Sequence, residues 1–256
     1  MTGASHLLAG VELGGTKCVC ILGTAPGDVR AHERLATSDP ATTLGDIETV
    51  LDAWRVEFGA IAALGVASFG PLDLRRASPS YGYITRTVKA GWSHTDVASR
   101  LAKRFAVPIG FDTDVNGAAL AERRWGAAQG LDDFAYITVG TGVGVGMIVN
   151  GRPVHGSNHS ELGHMRPVRL AGDAWPGICS FHGACVEGLA CGPAIQARAG
   201  VPPERLPADH PVWDSVAHAL GQLLHTLVLA TAPRRILLGG GVMNAQEHLF
   251  ARVRQN

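Results

Sequence analysis

The apolar residues of this chain recur in two alternating patterns, one typical of buried strands and the other of helices that pack on one face. Apolar, β-prone runs at 6–13 and 18–22 are separated by a glycine-containing segment, which predicts an opening β-hairpin. Between 39 and 58, apolar residues return at helical intervals behind an Asp39-Pro40 start, so a helix is predicted there. A buried strand is predicted next, at 61–68.

The same alternation continues to the end of the chain. Helices are predicted at 96–105, 116–125, 211–232 and 242–255, and strands at 108–111, 134–139, 147–150 and 235–238. A glycine-rich run at 140–146 connects two of these strands. Residues 69–92 have no clear period, which indicates a long loop of the kind that often carries function. Strands mixed with helices, and hairpins at two glycine-rich turns, predict an α/β fold of two similar lobes.

Composition and charge narrow the classes of partner. The chain has 256 residues, 46% of them hydrophobic, so it can bury a substantial core. Its 22 basic and 22 acidic residues balance without any run of like charge, which argues against nucleic acid or a membrane surface and favours a small-molecule ligand. Five cysteines, an odd number, do not suggest a disulfide framework. With no signal peptide and no apolar stretch of membrane-spanning length near the start, a soluble cytoplasmic protein is expected.

Cysteine and histidine residues cluster at a spacing that suits one tetrahedral zinc ion. Cys179, His182 and Cys185 follow one another closely enough to turn around a single metal. The preferred fourth ligand is His164, and the competing candidates are His155, His159 and Cys191. Four protein ligands close the coordination shell of zinc, which is the mark of a structural site. The alternative is that these are unrelated buried thiols and solvated histidines.

Carboxylates at two places along the chain are candidates for contact with a substrate. Glu161 and Glu187 flank the cysteine and histidine cluster, so a metal that fixes the cluster also fixes the backbone beside these acids. A carboxylate held in this way can accept hydrogen bonds from a polyol with little ordering cost. Asp112 and Asp114 end a predicted strand ahead of a helix, where a carboxylate is able to accept a proton from a substrate hydroxyl. A simple helix N-cap is the alternative role.

Three glycine-rich segments follow predicted strands, namely Gly14-Gly15-Thr16-Lys17, Gly140-Thr141-Gly142 and Gly239-Gly240-Gly241. Glycine lets the backbone turn its N–H groups toward a phosphate, while threonine supplies a hydroxyl donor and lysine a positive charge. None of the three segments matches the P-loop or the dinucleotide fingerprint, and each alone is explained by a tight turn. Two threonine-bearing turns in opposite halves of the chain together predict a clamp for the phosphates of a nucleotide.

These motifs, in this order, resemble the sugar-kinase branch of the ROK family, and most closely its bacterial fructokinases. The matching segments are 10–17, 68–73, 81–85, 89–92, 111–119, 138–146, 161–164, 179–187, 192–195 and 238–242. His182 in the zinc-type cluster and Glu12 in the opening motif are both similar to the fructokinase branch rather than to the other branches.

The resemblance implies an actin-like ATPase (ribonuclease H-like) fold, with an N-terminal lobe over 1–113 and a C-terminal lobe over 114–256. Asp114 matches the catalytic base of the family. The residues that match positions at or beside the sugar are Asn116, Glu161, His164 and Glu187, and those that match the ligands of a structural Zn²⁺ are His164, Cys179, His182 and Cys185. The residues that match the ATP site are Gly14, Gly15, Thr16, Lys17, Gly140, Thr141 and Gly142 at the phosphates, and Pro193, Gly239, Gly240 and Gly241 at the adenosine.

The resemblance further implies phosphorylation of fructose at its C6 hydroxyl by ATP, with Mg²⁺ arriving on the nucleotide and a homodimer as the assembly. A broader hexose kinase acting on mannose or glucose is the near alternative. Family members usually continue for several tens of residues beyond the last glycine motif, whereas this chain stops at Asn256. A C-terminal truncation that leaves an apolar face of the first lobe exposed is therefore expected, with a non-catalytic sugar-binding remnant as the second alternative.

Overall fold

The computed structural model describes residues 6–244 and 246–255, and the chain divides into two compact units. The first unit runs to Gly117 and also includes the segment His155–His159. The second comprises Ala118–Val154 and the chain from Ser160 onward. The first unit is therefore discontinuous in sequence. None of the described helices is both long enough and apolar enough to cross a membrane.

The described residues of the first unit include seven strands. They are β1 (Leu7–Leu13), β2 (Lys17–Ala25), β3 (Asp28–Ala36), β4 (Ile61–Ser68), β5 (Tyr83–Ile84), β6 (Thr95–Asp96) and β7 (Ile109–Thr113). Five of them form one sheet in the order β3-β2-β1-β4-β7, while β5 and β6 form a separate ribbon. β1 and β2 pair antiparallel, which confirms the predicted opening hairpin, and β1, β4 and β7 run parallel.

Two helices, α1 (Pro40–Phe58) and α2 (Ala98–Phe105), share one core with this sheet. The side chain of Asp39 accepts a hydrogen bond from the Thr42 N–H at 3.0 Å, so α1 begins where the sequence predicts. Because strand side chains alternate, every second residue of β1 and β2 points away from this core. Leu8 and Ile21 on that other side are 46% and 38% exposed, so part of the sheet presents apolar side chains to solvent.

The edge strand β3 was not predicted from the sequence. It includes the charged residues Arg30, Glu33 and Arg34, and none of its residues is fully buried. An edge strand pairs on one side only, and charged side chains there protect the sheet from pairing with other chains. The apolar alternation by which strands are predicted is therefore missing from it.

The second unit contains a four-stranded sheet and most of the remaining helices. Its strands are β8 (Phe134–Val139), β9 (Val143–Val149), β10 (Arg152–Pro153) and β11 (Arg235–Gly239), in the order β10-β9-β8-β11. Its helices are α3 (Asp114–Trp125), which begins in the first unit, α4 (Val186–Ala190), α5 (Gly192–Ala199), α6 (Val212–Thr231) and α7 (His248–Gln255). α6 buries Trp213, Leu220 and Leu227 completely in the core of the unit.

The predicted start of β9 at Met147 is wrong, because the strand already begins at Val143. Val143 and Val145 are buried and alternate with Gly144 and Gly146, of which Gly144 is half-buried and Gly146 is buried. Alternate valines are enough to form a strand against β8, and the glycines between them conceal the pattern. The turn of this hairpin is therefore only Gly140–Gly142.

Helix α7 also differs from its prediction, since it begins at His248 rather than at Val242. The Val242 N–H donates to the Val139 carbonyl at 2.9 Å, and the Met243 N–H donates to the Gly240 carbonyl at 3.0 Å. These bonds hold the chain after β11 in a turn against β8. Two short helices, α4 and α5, were not predicted, because the cysteine and glycine residues around them obscure the helical period.

Candidate active site

The turn of the first hairpin exposes a lysine and a threonine. The Gly14 N–H donates to the Lys17 carbonyl at 3.0 Å and closes the turn. Thr37 stabilises this turn through two hydrogen bonds. Its hydroxyl donates to the Gly14 carbonyl at 2.8 Å, and its N–H donates to the Thr16 carbonyl at 3.1 Å. Gly15, Thr16 and Lys17 are all exposed. A rigid turn thus presents one hydroxyl and one ammonium group to solvent.

In the second unit, three glycine-containing segments meet around the turn of the β8–β9 hairpin. The Gly140 N–H donates to the Gly142 carbonyl at 2.9 Å, which leaves Thr141 exposed. The Gly192 N–H, at the start of α5, donates to the Gly140 carbonyl at 2.8 Å. A Cβ on Gly140 would lie 3.9 Å from the Gly241 nitrogen. The structure therefore brings together the residues of this unit that were expected at the phosphates and the adenosine, Pro193 included.

Gly240 occupies a position that only glycine fits. Its φ is +94°, and a Cβ there would lie 2.5 Å from the Val139 carbonyl oxygen. The chain after β11 can therefore approach β8 closely. This close approach places Gly239–Gly241 beside the hairpin turn.

Asp114 is the first residue of α3, two residues earlier than the predicted start of that helix. Its Oδ1 accepts the Val115 N–H at 2.8 Å. Asn116 is only 4% exposed, and its side-chain N–H donates to Oδ1 of Asp112 at 2.7 Å. A Cβ on Gly117 would lie 2.8 Å from that of Ala67, so the start of α3 packs tightly against β4. These contacts fix the end of the helix that carries Asp114.

Two histidines that the sequence suggested only as alternative metal ligands contact this region instead. Nε2 of His155 lies 3.0 Å from Oδ2 of Asp112, and Nε2 of His159 accepts the Leu72 N–H at 3.0 Å. A Cβ on Gly70 would lie 2.9 Å from the same His159 nitrogen. His155 and His159 thus fasten their segment to β7 and to the loop after β4 within the first unit.

Among the described residues, one group has the geometry to hold a metal ion. The ligand atoms of His164, Cys179, His182 and Cys185 all lie within 4.8 Å of one another. Nδ1 of His164 lies 3.6 Å from the Cys179 sulfur and 3.7 Å from the Cys185 sulfur. Burial raises the pKa of the Cys185 thiol to about 11, so a cation is needed to hold it as a thiolate. Two imidazoles and two thiols are a donor set that suits zinc.

Cys191, the remaining candidate, lies outside this group. It is buried at the start of α5, and burial raises the pKa of its thiol to about 11. The structure therefore joins His164, and none of the competing residues, to the three closely spaced ligands.

The two flanking carboxylates are held beside β9. Glu161 precedes a 3₁₀ turn, Leu162–His164, and its carbonyl accepts the His164 N–H at 2.9 Å. A Cβ on Gly163 would lie 1.7 Å from the Val143 carbonyl oxygen, so the turn lies directly on β9. Glu187, in α4, accepts the Val143 N–H through Oε2 at 3.1 Å, and its Oε1 lies 3.8 Å from Nδ1 of His164.

Comparison with known proteins identifies the family of this chain. The ROK family model matches residues 8–256. The fructokinase of Zymomonas mobilis is 42% identical over 96% of this chain and 82% of its own length, and that of Pediococcus pentosaceus is 40% identical over 97% and 84%. The crystal structure of a ROK hexokinase from Thermus thermophilus superposes with a TM-score of 0.75, at 29% identity, over 97% of this chain and 88% of that one. This likeness confirms the actin-like ATPase fold, and the chain belongs to the ROK family.

Proposed function

We propose that this chain transfers the γ-phosphoryl group of ATP to the C6 hydroxyl of fructose. The observation that carries the proposal is an identity of 40 and 42% to two fructokinases along nearly the whole chain. Identity to the Thermus thermophilus hexokinase is lower, at 29%, so the similarity favours fructose. That second likeness supports a broader hexose kinase as the other candidate.

Asp114 is the general base in this proposal. It stands at the first residue of α3, where the helix dipole favours a negative charge. Its carboxylate takes the proton of the C6 hydroxyl while that oxygen forms a bond to the γ-phosphorus. The bond from the γ-phosphorus to the β–γ bridging oxygen breaks, and ADP leaves. Asn116 acts by holding the Asp112 carboxylate, because its side chain is buried and donates a hydrogen bond to that group.

The phosphates of ATP are assigned to the two hairpin turns. Thr16 and Thr141 supply exposed hydroxyl groups, and Lys17 supplies a positive charge for the transferred phosphoryl group. Mg²⁺ arrives with the nucleotide and neutralises phosphate charge. Pro193 and Gly239–Gly241, which border the second turn, are assigned to the adenosine.

The sugar is assigned to Glu161 and Glu187, with His164 beside them. Zinc, when bound by His164, Cys179, His182 and Cys185, supplies a closed structural crosslink and no chemistry on the substrate. A crosslink at His164 orders the 3₁₀ turn that follows Glu161, so this carboxylate meets sugar hydroxyls with little further loss of freedom. The lobe boundary at 113/114 and the homodimer remain predictions.

Sugar-dependent release of ADP tests the proposal. Zinc-loaded protein is assayed with fructose, mannose and glucose in turn, and turnover is expected to be fastest with fructose. Asp114→Asn keeps the size of the side chain but removes the base, so it should abolish turnover while fructose still binds. Near-normal turnover in this variant would exclude Asp114 as the base. Folded, zinc-loaded protein that binds fructose without any turnover would support a non-catalytic sugar-binding remnant.

A further inference from the structure

Helix α4 connects the metal cluster to the glycine turn of the β8–β9 hairpin. Its N-cap is Cys185, a member of the cluster, whose sulfur accepts the Gly188 N–H at 3.4 Å. Just beyond its other end, the Gly192 N–H donates to the Gly140 carbonyl at 2.8 Å. The helix has only five residues. The cysteine and the hairpin turn are therefore connected through a short, hydrogen-bonded segment.

The side chain of Glu187, a residue of α4, also connects the metal cluster to the β8–β9 hairpin. Oε2 accepts the N–H of Val143, the first residue of β9, at 3.1 Å. Oε1 lies 3.8 Å from Nδ1 of His164, the nitrogen that faces both cysteine sulfurs of the cluster. A Cβ on Gly142 would lie 2.6 Å from Oε2, so the carboxylate also lies against the turn itself. One carboxylate thus contacts the metal cluster and the hairpin.

We infer that the metal cluster and the nucleotide site are thermodynamically linked, and that the Glu187 carboxylate is the positioning residue that links them. A metal ion held by His164 and Cys185 fixes α4 and attracts the carboxylate, which in turn orders the start of β9 and the Gly140–Gly142 turn. The inference rests on the proposed function, since it takes this turn as part of the nucleotide site. Two ligands that order the same element strengthen one another by the same factor.

Because the linkage acts equally in both directions, it can be tested by measuring zinc affinity, without a catalytic assay. The zinc Kd is measured by competition with a colorimetric chelator, with and without a saturating Mg²⁺ complex of a non-hydrolysable ATP analogue. The nucleotide is expected to lower the zinc Kd by about tenfold, within the usual range of such couplings. Zinc bound by the nucleotide would also lower the chelator signal and so lower the apparent Kd. A parallel titration of the chelator with the same Mg²⁺ complex and no protein measures this contribution, and it is subtracted. An unchanged zinc Kd would overturn the inference.

Variants of Glu187 test whether its carboxylate carries the coupling. In both Glu187→Ala and Glu187→Gln the effect of nucleotide on the zinc Kd should fall below about twofold, since neither keeps the negative charge. Glu204→Gln removes an exposed carboxylate from the same unit and should retain the full effect. Full coupling in Glu187→Gln would refute the role of the carboxylate.

Direct binding of the nucleotide analogue to zinc-loaded protein, followed by calorimetry, separates this inference from the proposed function. Protein that binds the analogue without any change in zinc affinity overturns the coupling alone. Protein that does not bind the analogue at all overturns both the coupling and the kinase.

Discussion

The contact between Gly163 and β9 makes replacement of this glycine by alanine a demanding test of the site. The added Cβ would lie 1.7 Å from the Val143 carbonyl oxygen, half the 3.4 Å at which ordinary contacts begin. The obstructing atom belongs to the backbone of a central strand, so no side-chain rotation relieves the clash. The turn Leu162–His164 must move away from β9 by more than 1 Å, taking Glu161 and His164 with it.

The size of the effect follows from the cost of overpacking. Extra methylene groups in a packed interior cost about 1–3 kcal/mol, and a backbone obstruction belongs at the upper end of that range. If the strain of about 3 kcal/mol appears at the metal site, the zinc Kd of Gly163→Ala rises by about a hundredfold. If it appears in the free energy of unfolding, the thermal midpoint falls by about 6 to 12 °C.

Competitive chelation and thermal unfolding measure these two outcomes, and Gly45→Ala is the matched control. Gly45 lies within α1, and a Cβ there meets nothing within 4 Å. The control should bind zinc normally and gain about 0.5–1 kcal/mol from the better helix propensity of alanine. A Gly163→Ala protein with wild-type zinc affinity and a midpoint within about 1 °C of wild type would refute the packing argument.

Two further predictions concern histidines. His155→Ala removes the contact to Asp112, and the loss of about 1 kcal/mol should lower kcat about fivefold without changing the KM for ATP. His155→Gln, which keeps a donor, should retain most activity. An unchanged kcat in steady-state assays of the alanine variant would contradict this prediction. Burial, aided by Arg252, lowers the pKa of His248 below its usual 6.5, and Nε2 of its ring has no hydrogen-bond partner. The stability that the neutral His248 side chain contributes is thus complete above about pH 6.5 and is lost as the pH falls below that value. Acidification from about pH 7.5 to 5.5 should therefore lower the thermal midpoint more in wild type than in His248→Phe. Equal losses in the two proteins would exclude His248 as the cause of the acid destabilisation.

Much of the candidate site could be predicted because its residues are close in sequence. Cys179, His182 and Cys185 are spaced for one metal, and the structure gathers them as their spacing suggests. The hairpin turn after β1 is likewise a local feature, since its closing hydrogen bond joins Gly14 to Lys17. Where the chemistry depends on neighbours in the chain, residue type and spacing are sufficient.

The supporting contacts around Asp114 could not be predicted in this way. His155 lies 43 residues from Asp112, and His159 lies 87 residues from Leu72. No period or spacing in one sequence relates such positions, because they meet only when the sheet of the first unit has formed. Residue type alone suggests these two histidines as metal ligands, but in the structure their ring nitrogens face a carboxylate and a backbone N–H.

The discontinuity of the first unit has a consequence for its synthesis. A ribosome completes residues 118–154, which belong to the second unit, before it adds the segment His155–His159. A nascent chain that ends at Gly117 therefore has the whole sheet of the first unit but lacks the partners of Asp112 and the Leu72 N–H. Domains generally fold as units during translation, so the elements around Asp114 acquire their last contacts late. A fragment cut at this boundary would reproduce the nascent intermediate and not the finished unit.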